Sequence, residues 1–108
     1  MAVSLKSVVG SVTTTSTPFF TATKQTVIIG GSLANKGAAN TTAAAWIQKS
    51  GGGIGDIVRN GSVPSGSALI IAGGSVPKIT LEVGDKVFAA LHSAVVPVDI
   101  VISYAEVD

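Results

Sequence analysis

The stretch K-I-T-L-E-V-G-D-K-V-F-A-A-L, residues 78–91, decides the fold class. Ile79, Leu81 and Val83 alternate with Lys78, Thr80 and Glu82, and after Gly84-Asp85 the alternation resumes with Val87, Ala89 and Leu91. Successive side chains of a β-strand point to opposite faces, so period-two apolarity marks a half-buried strand. The glycine at the break tolerates the positive φ that a tight turn requires. The stretch therefore predicts a β-hairpin. Ile79, Leu81, Val83, Val87 and Leu91 are expected to face one core together with Ile100 and Ile102.

The same grammar extends in both directions. T-V-I-I-G-G-S-L-A-N (26–35) is apolar with Gly30-Gly31 inside it, which signals a bulge or a close backbone approach. T-A-A-A-W-I-Q-K (42–49) carries three alanines that favour helix, but it is short, lacks a helical stripe and ends in K-S-G-G-G, so it reads as a strand. I-G-D-I-V-R-N (54–60) follows, with Asn60-Gly61 as a turn signal, and Pro64-Ser65-Gly66 predicts a turn before a strand at 67–72. P-V-D-I-V-I-S-Y-A-E-V closes the chain with Ile100, Ile102 and Tyr104 on one face. The reading is all-β: an antiparallel β-sandwich or jelly roll of about seven or eight strands, with turns at intervals of roughly 8–12 residues.

Residues 1–24 read separately from the sandwich at 25–108. V-S-L-K-S-V-V (3–9) forms a short strand, and a threonine-rich connector leads to Pro18 and the pair Phe19-Phe20. Two readings stay open for this segment. It is an arm that pairs with another subunit, using Val3 and Leu5 for register and Phe19 and Phe20 as anchors, or it is the first strand of the chain's own sandwich plus a connector.

Composition narrows the functions. With 108 residues and no cysteine, the chain suits one domain held by packing alone, without disulfides or thiolate metal ligands. Seven Lys and Arg residues are scattered and the net charge is +1, which argues against nucleic acid, whose binders cluster cations against adjacent phosphates. Charged residues are only 12% of the chain, about half the usual quarter, while 46% is apolar. That balance suits a subunit that buries surface in an assembly. No apolar run reaches the ~18 residues of a membrane span, and the first residues lack a continuous secretory core, so the expected site of synthesis is the cytoplasm.

Chemistry finds no foothold. His92 is the sole histidine, beside Leu91 and Ser93, without the partners a triad or metal site needs. Glu82, Asp85, Asp56 and Asp99 are the carboxylates available to a glycosidase pair, but Glu82 and Asp85 flank a turn, where acidic residues serve hydrogen bonding. G-G-G-I-G-D (51–56) lacks the Lys-Ser/Thr of a phosphate loop and the spacing of a dinucleotide loop. Trp46 reads as a core or interface anchor, or with Tyr104 as a sugar-stacking platform. No catalytic, cofactor or metal residue is assigned. The interaction candidates are Val3, Leu5, Phe19, Phe20 and Trp46.

Four segments in order carry a family likeness: Val27–Asn35 as V-x-x-G-x-x-x-A-N, Pro64–Leu69 as P-x-G-x-A-L, Ile79–Val87 as I-x-L-E-x-G-D-x-V, and Ser103–Glu106 as S-Y-x-E. Over residues 26–106 the chain resembles small β-sandwich virion proteins of tailed bacteriophages, especially those of aquatic hosts. The resemblance implies a structural, non-enzymatic part of the particle, commonly a capsid decoration (cement) protein that binds and stabilises the head. It implies the major capsid protein and sister subunits as partners, a trimer by family analogy, no cofactor, and a place on the virion exterior after synthesis in the host cytoplasm. A tail, head–tail junction or fibre component, or a glycan- or receptor-binding module, is the alternative.

Overall fold

The computed structural model describes residues 3–14, 17–73, 79–92 and 96–107. Thr15 and Ser16 of the connector, and Lys78 of the opening stretch, lie outside them. Nine strands form two antiparallel sheets: β1 (Val3–Val12), β2 (Thr17–Thr21), β3 (Gln25–Asn35), β4 (Thr41–Gln48), β5 (Ile54–Val63), β6 (Ala68–Ala72), β7 (Ile79–Leu81), β8 (Lys86–Leu91) and β9 (Val98–Val107). One sheet has the order β1-β9-β3-β6, with β7 also paired to β3, and the other has the order β2-β8-β4-β5. Strand pairs β1·β9, β2·β8, β3·β6 and β4·β5 are those of a long antiparallel ribbon rolled over on itself. This is the jelly-roll arrangement of a β-sandwich.

The core lies between the sheets. Leu33, Leu81, Val87, Ile100, Ile102, Val63, Ala43 and Ala45 are fully buried, each from the inward positions of its strand. Alanines at 43, 45 and 89 keep the centre of the second sheet low, so that the larger Leu and Ile side chains of the first sheet fit against it. The alanine run is thus a strand, as its length and flanks predict.

The 78–91 stretch does not form a hairpin. β7 pairs with β3 in the first sheet, whereas β8 pairs with β2 and β4 in the second. Residues 82–85 form a corner between sheets. Gly84 supplies φ +92°, and a Cβ there would stand 2.9 Å from Ser50 Cβ. Val83, expected inside, is 61% exposed because it rides on the outside of this corner. Asn60-Gly61 is not a turn either. β5 runs through it to Val63, with irregular register against β4 between Ala43 and Trp46. Glycine is needed at 61 because a Cβ would fall 2.4 Å from Leu69 Cδ2. The expected bulge at Gly30-Gly31 is present: register against β9 shifts between Ile28 and Gly30, and against β6 between Gly31 and Ser32. The Pro64–Ser67 turn also forms, closed by Ser67 N–H donating to Pro64 O at 3.0 Å, with Gly66 at φ +74°.

Candidate interaction surface

Among the described residues every buried side-chain nitrogen and oxygen has a hydrogen-bond partner. Asp85 is fully buried at the corner; its carboxylate accepts from Lys49 Nζ, from the Glu82 amide at 2.9 Å and from the Ser50 amide at 3.0 Å. Burial disfavours its charge, but the Lys49 hydrogen bond, the two amides and the Lys49 charge together hold its carboxyl below the ordinary carboxylate value. The same hydrogen bond to Asp85 raises the Lys49 ammonium above its ordinary value, against a smaller effect of burial. At the opposite end, Asn35 Nδ2 donates to Ala39 O and Val63 O at 2.8 and 2.9 Å, and Asn35 Oδ1 accepts from the Gly37 amide at 2.8 Å. Glu106, 6% exposed, meets Lys6 Nζ at 2.7 Å. Asn35, Asp85 and Glu106 are polar landmarks of the family-like segments, and each ties strands or corners together.

The candidate carboxylates are occupied in the same way. Asp56 pairs with Arg59 Nε at 3.3 Å and Asp99 with Lys36 Nζ at 3.1 Å. Among the described residues no group of three or more His, Asp or Glu side chains is placed to hold a metal ion. His92 Nε2 lies 2.9 Å from Arg59 O of β5, a contact with backbone. The G-G-G loop is the turn between β4 and β5, tied by the Lys49 amide donating to Gly53 O at 2.7 Å.

The aromatic candidates separate. Phe20 packs on Tyr104 across the sandwich, ring centroids 4.7 Å apart, and Phe19 covers Gly10 of β1, where a Cβ would come 2.5 Å from Phe19 Cε1. Both phenylalanines are half-buried against the chain's own core. Trp46 stands on the outer face of the second sheet, stacked on Phe88 with centroids 5.3 Å apart and planes within 6°. Tyr104 belongs to the other sheet and faces inward, so Trp46 and Tyr104 do not build a sugar platform. The stacked pair occupies one cross-strand row, Pro18–Phe88–Trp46–Asp56, and each ring covers a face of the other.

Val3 and Leu5 lead to a larger feature. Odd positions of β9 point outward because Ile100 and Ile102 point in, and the register carries that face across the sheet. Val9, Val101, Ser32 and Ile70 form one row; Leu5, Ala105 and Val27 form another; Ile29, extruded by the bulge, sits between them. Leu5 is 75% and Val9 67% exposed. A shallow depression of about 340 Å³ lies among Ile29, Ser32, Ile70, Val101 and Ser103. Asp99, at one end and already paired with Lys36, is the only charged side chain at a paired position of this face among the described residues. Sequence reasoning missed Val9, Val101, Ile29 and Ile70. A signal was present in V-D-I-V-I-S-Y-A-E-V, which carries apolar residues on both faces although an antiparallel strand normally needs only one.

The sheet edges differ in the same direction. β2 carries Pro18 and a register shift, β5 carries its irregularities with Asp56 and Arg59, and the β6/β7 side is divided between two short strands. Those are the devices by which edges avoid pairing. β1 carries one charge, Lys6, but neither proline nor bulge: its ten residues run in unbroken register along β9 and end the sheet.

No protein-family profile and no curated protein matches the chain. Among solved structures, a chain from Bacillus endospore appendages, described as a novel family of disulfide-linked pili, is similar with a TM-score of 0.58 and 12% identity, over 97% of this chain and 86% of that one. At that identity the likeness is one of fold.

Proposed function

We propose that this chain is a non-enzymatic structural subunit that works on the outside of a particle, with the outer face of the β1-β9-β3-β6 sheet covered by a neighbouring subunit. The observation that carries the reading is that face itself: apolar across four strands, nearly free of charge, and bordered by a long edge strand in unbroken register. Exposed apolar surface of this kind marks association sites. Engagement of Asp56, Asp85 and Asp99 in structural ion pairs supports the absence of catalysis.

Within that reading, the order of the family-like segments favours a capsid decoration (cement) protein of a tailed bacteriophage, seated on the major capsid protein as a closed oligomer, with a trimer as the first expectation. A second reading, a subunit of a filament or appendage, draws on the pilus neighbour. A disulfide linkage has no residue to use in these 108, so a filament built of them is held by non-covalent contacts. Quantitative mass spectrometry of purified phage particles separates the two. A decoration protein is present in proportion to the major capsid protein, a tail, junction or fibre part at a small fraction of it, and a filament or appendage subunit is absent from them. Purified chain that stays monomeric and binds no particle refutes both.

A further inference from the structure

We propose that β1 is an exchangeable strand: in the assembly, residues 3–12 of one copy pair with β9 of a second copy and complete its sheet. The proposal deepens the assembly reading and names the contact. β1 is bound mainly through its ten-residue backbone ladder to β9, with the Lys6–Glu106 ion pair and Val12 as its main side-chain ties. Its outward positions Val3, Leu5, Ser7, Val9 and Ser11 are exposed, and of its inward positions Ser4, Lys6, Val8, Gly10 and Val12 only Val12 is buried. By contrast β9, its partner, buries Val98, Ile100 and Ile102 in the core, to which β1 adds only Val12 and the half-buried Val8. A strand with few buried contacts opens at low cost compared with the global fold.

The place where β1 leaves the body is not tightly filled. A cavity of about 130 Å³ lies among Ser11, Val12, Thr13, Pro18, Phe19, Ala89 and Ile100. What β1 loses on leaving, it regains on arrival. Any sister copy offers the same ten-residue register on β9, the same Glu106 for Lys6, and the same Phe19 over Gly10.

Docking on its own β9 has the advantage of effective concentration, of order millimolar for a short connection. Exchange therefore dominates where subunits are packed together, and there it adds burial of the apolar outer face.

Cysteine pairs in this cysteine-free chain test the proposal. Ser7 lies directly opposite Ser103, a pair separation within disulfide reach. Ser7→Cys and Ser103→Cys chains are purified separately, unfolded, mixed at about 1 mM to match the competing effective concentration, refolded and oxidised with copper–phenanthroline. The expected product is a covalent heterodimer, at least tenfold more abundant than from the out-of-register control Ser11→Cys with Ser103→Cys. The double variant Ser7→Cys/Ser103→Cys, treated alike, forms covalent dimers or ladders. Heterodimer no more abundant than the control, with the double variant closing only within one chain, overturns the exchange. Light scattering of the untreated chain reads the assembly independently: oligomers without the cross-subunit disulfide sink the exchange and leave the assembly reading standing, whereas monomer alone sinks both. Circular dichroism of each variant verifies that it folds.

Discussion

Replacing Asp85 with asparagine tests whether the corner between sheets rests on one buried carboxylate. Asp85 is fully buried and takes three donors on two oxygens: Ser50 N–H on Oδ1, Glu82 N–H and Lys49 Nζ on Oδ2. Asparagine has one acceptor oxygen. Placed at Oδ2 it keeps Glu82 and Lys49, but its amide then confronts the Ser50 N–H, donor against donor. The unmet donors cost about 1–2 kcal/mol, and loss of charge assistance on the other two bonds costs about 1 kcal/mol each. The total is about 3 kcal/mol, which in a domain of this size lowers Tm by roughly 10–20 °C.

The effect has a pH signature. The folded carboxyl titrates below its unfolded value of 3.8, so its stabilisation is present above that value and is lost as pH falls through the lower folded value. Thermal melts of the native chain and Asp85→Asn should differ most near neutral pH and converge below about pH 4. A variant melting within about 2 °C of the native chain at pH 7 would refute the reasoning.

Leu81→Ala should cost about 2–5 kcal/mol in urea unfolding, whereas Val83→Ala should change stability by less than about 0.5 kcal/mol. Equal losses at the two positions would restore the simple hairpin and remove the corner. Gly61→Ala should destabilise by about 1–3 kcal/mol through its collision with Leu69, while Gly53→Ala, with open space around it, should be nearly neutral. Val9→Lys together with Val101→Lys should leave the fold intact by circular dichroism and reduce self-association by light scattering. Unchanged association would move the interface away from that face.

Residues 78–91 alone determined that this chain is built of strands, because alternation with period two cannot be satisfied by a helix. The bulge at Gly30-Gly31, the Pro64–Gly66 turn and the strand through Ala43–Ala45 were legible for similarly local reasons: each depends on backbone geometry within a few residues. Which strands pair was not legible. Two strands whose apolar residues face the core show the same alternation whether they are neighbours in one sheet or lie in opposite sheets, so Leu81 and Val87 read as a hairpin until the sheets are assembled. Asn60-Gly61 misled for a related reason, since a glycine required by the distant Leu69 looks the same as one required by a turn. The outer face of the first sheet was likewise invisible, because Val9, Val101, Ser32 and Ile70 come from four strands and meet only through register. Alternation is a property of one strand; pairing, corners and shared faces are properties of the set, and only the tertiary structure decides them.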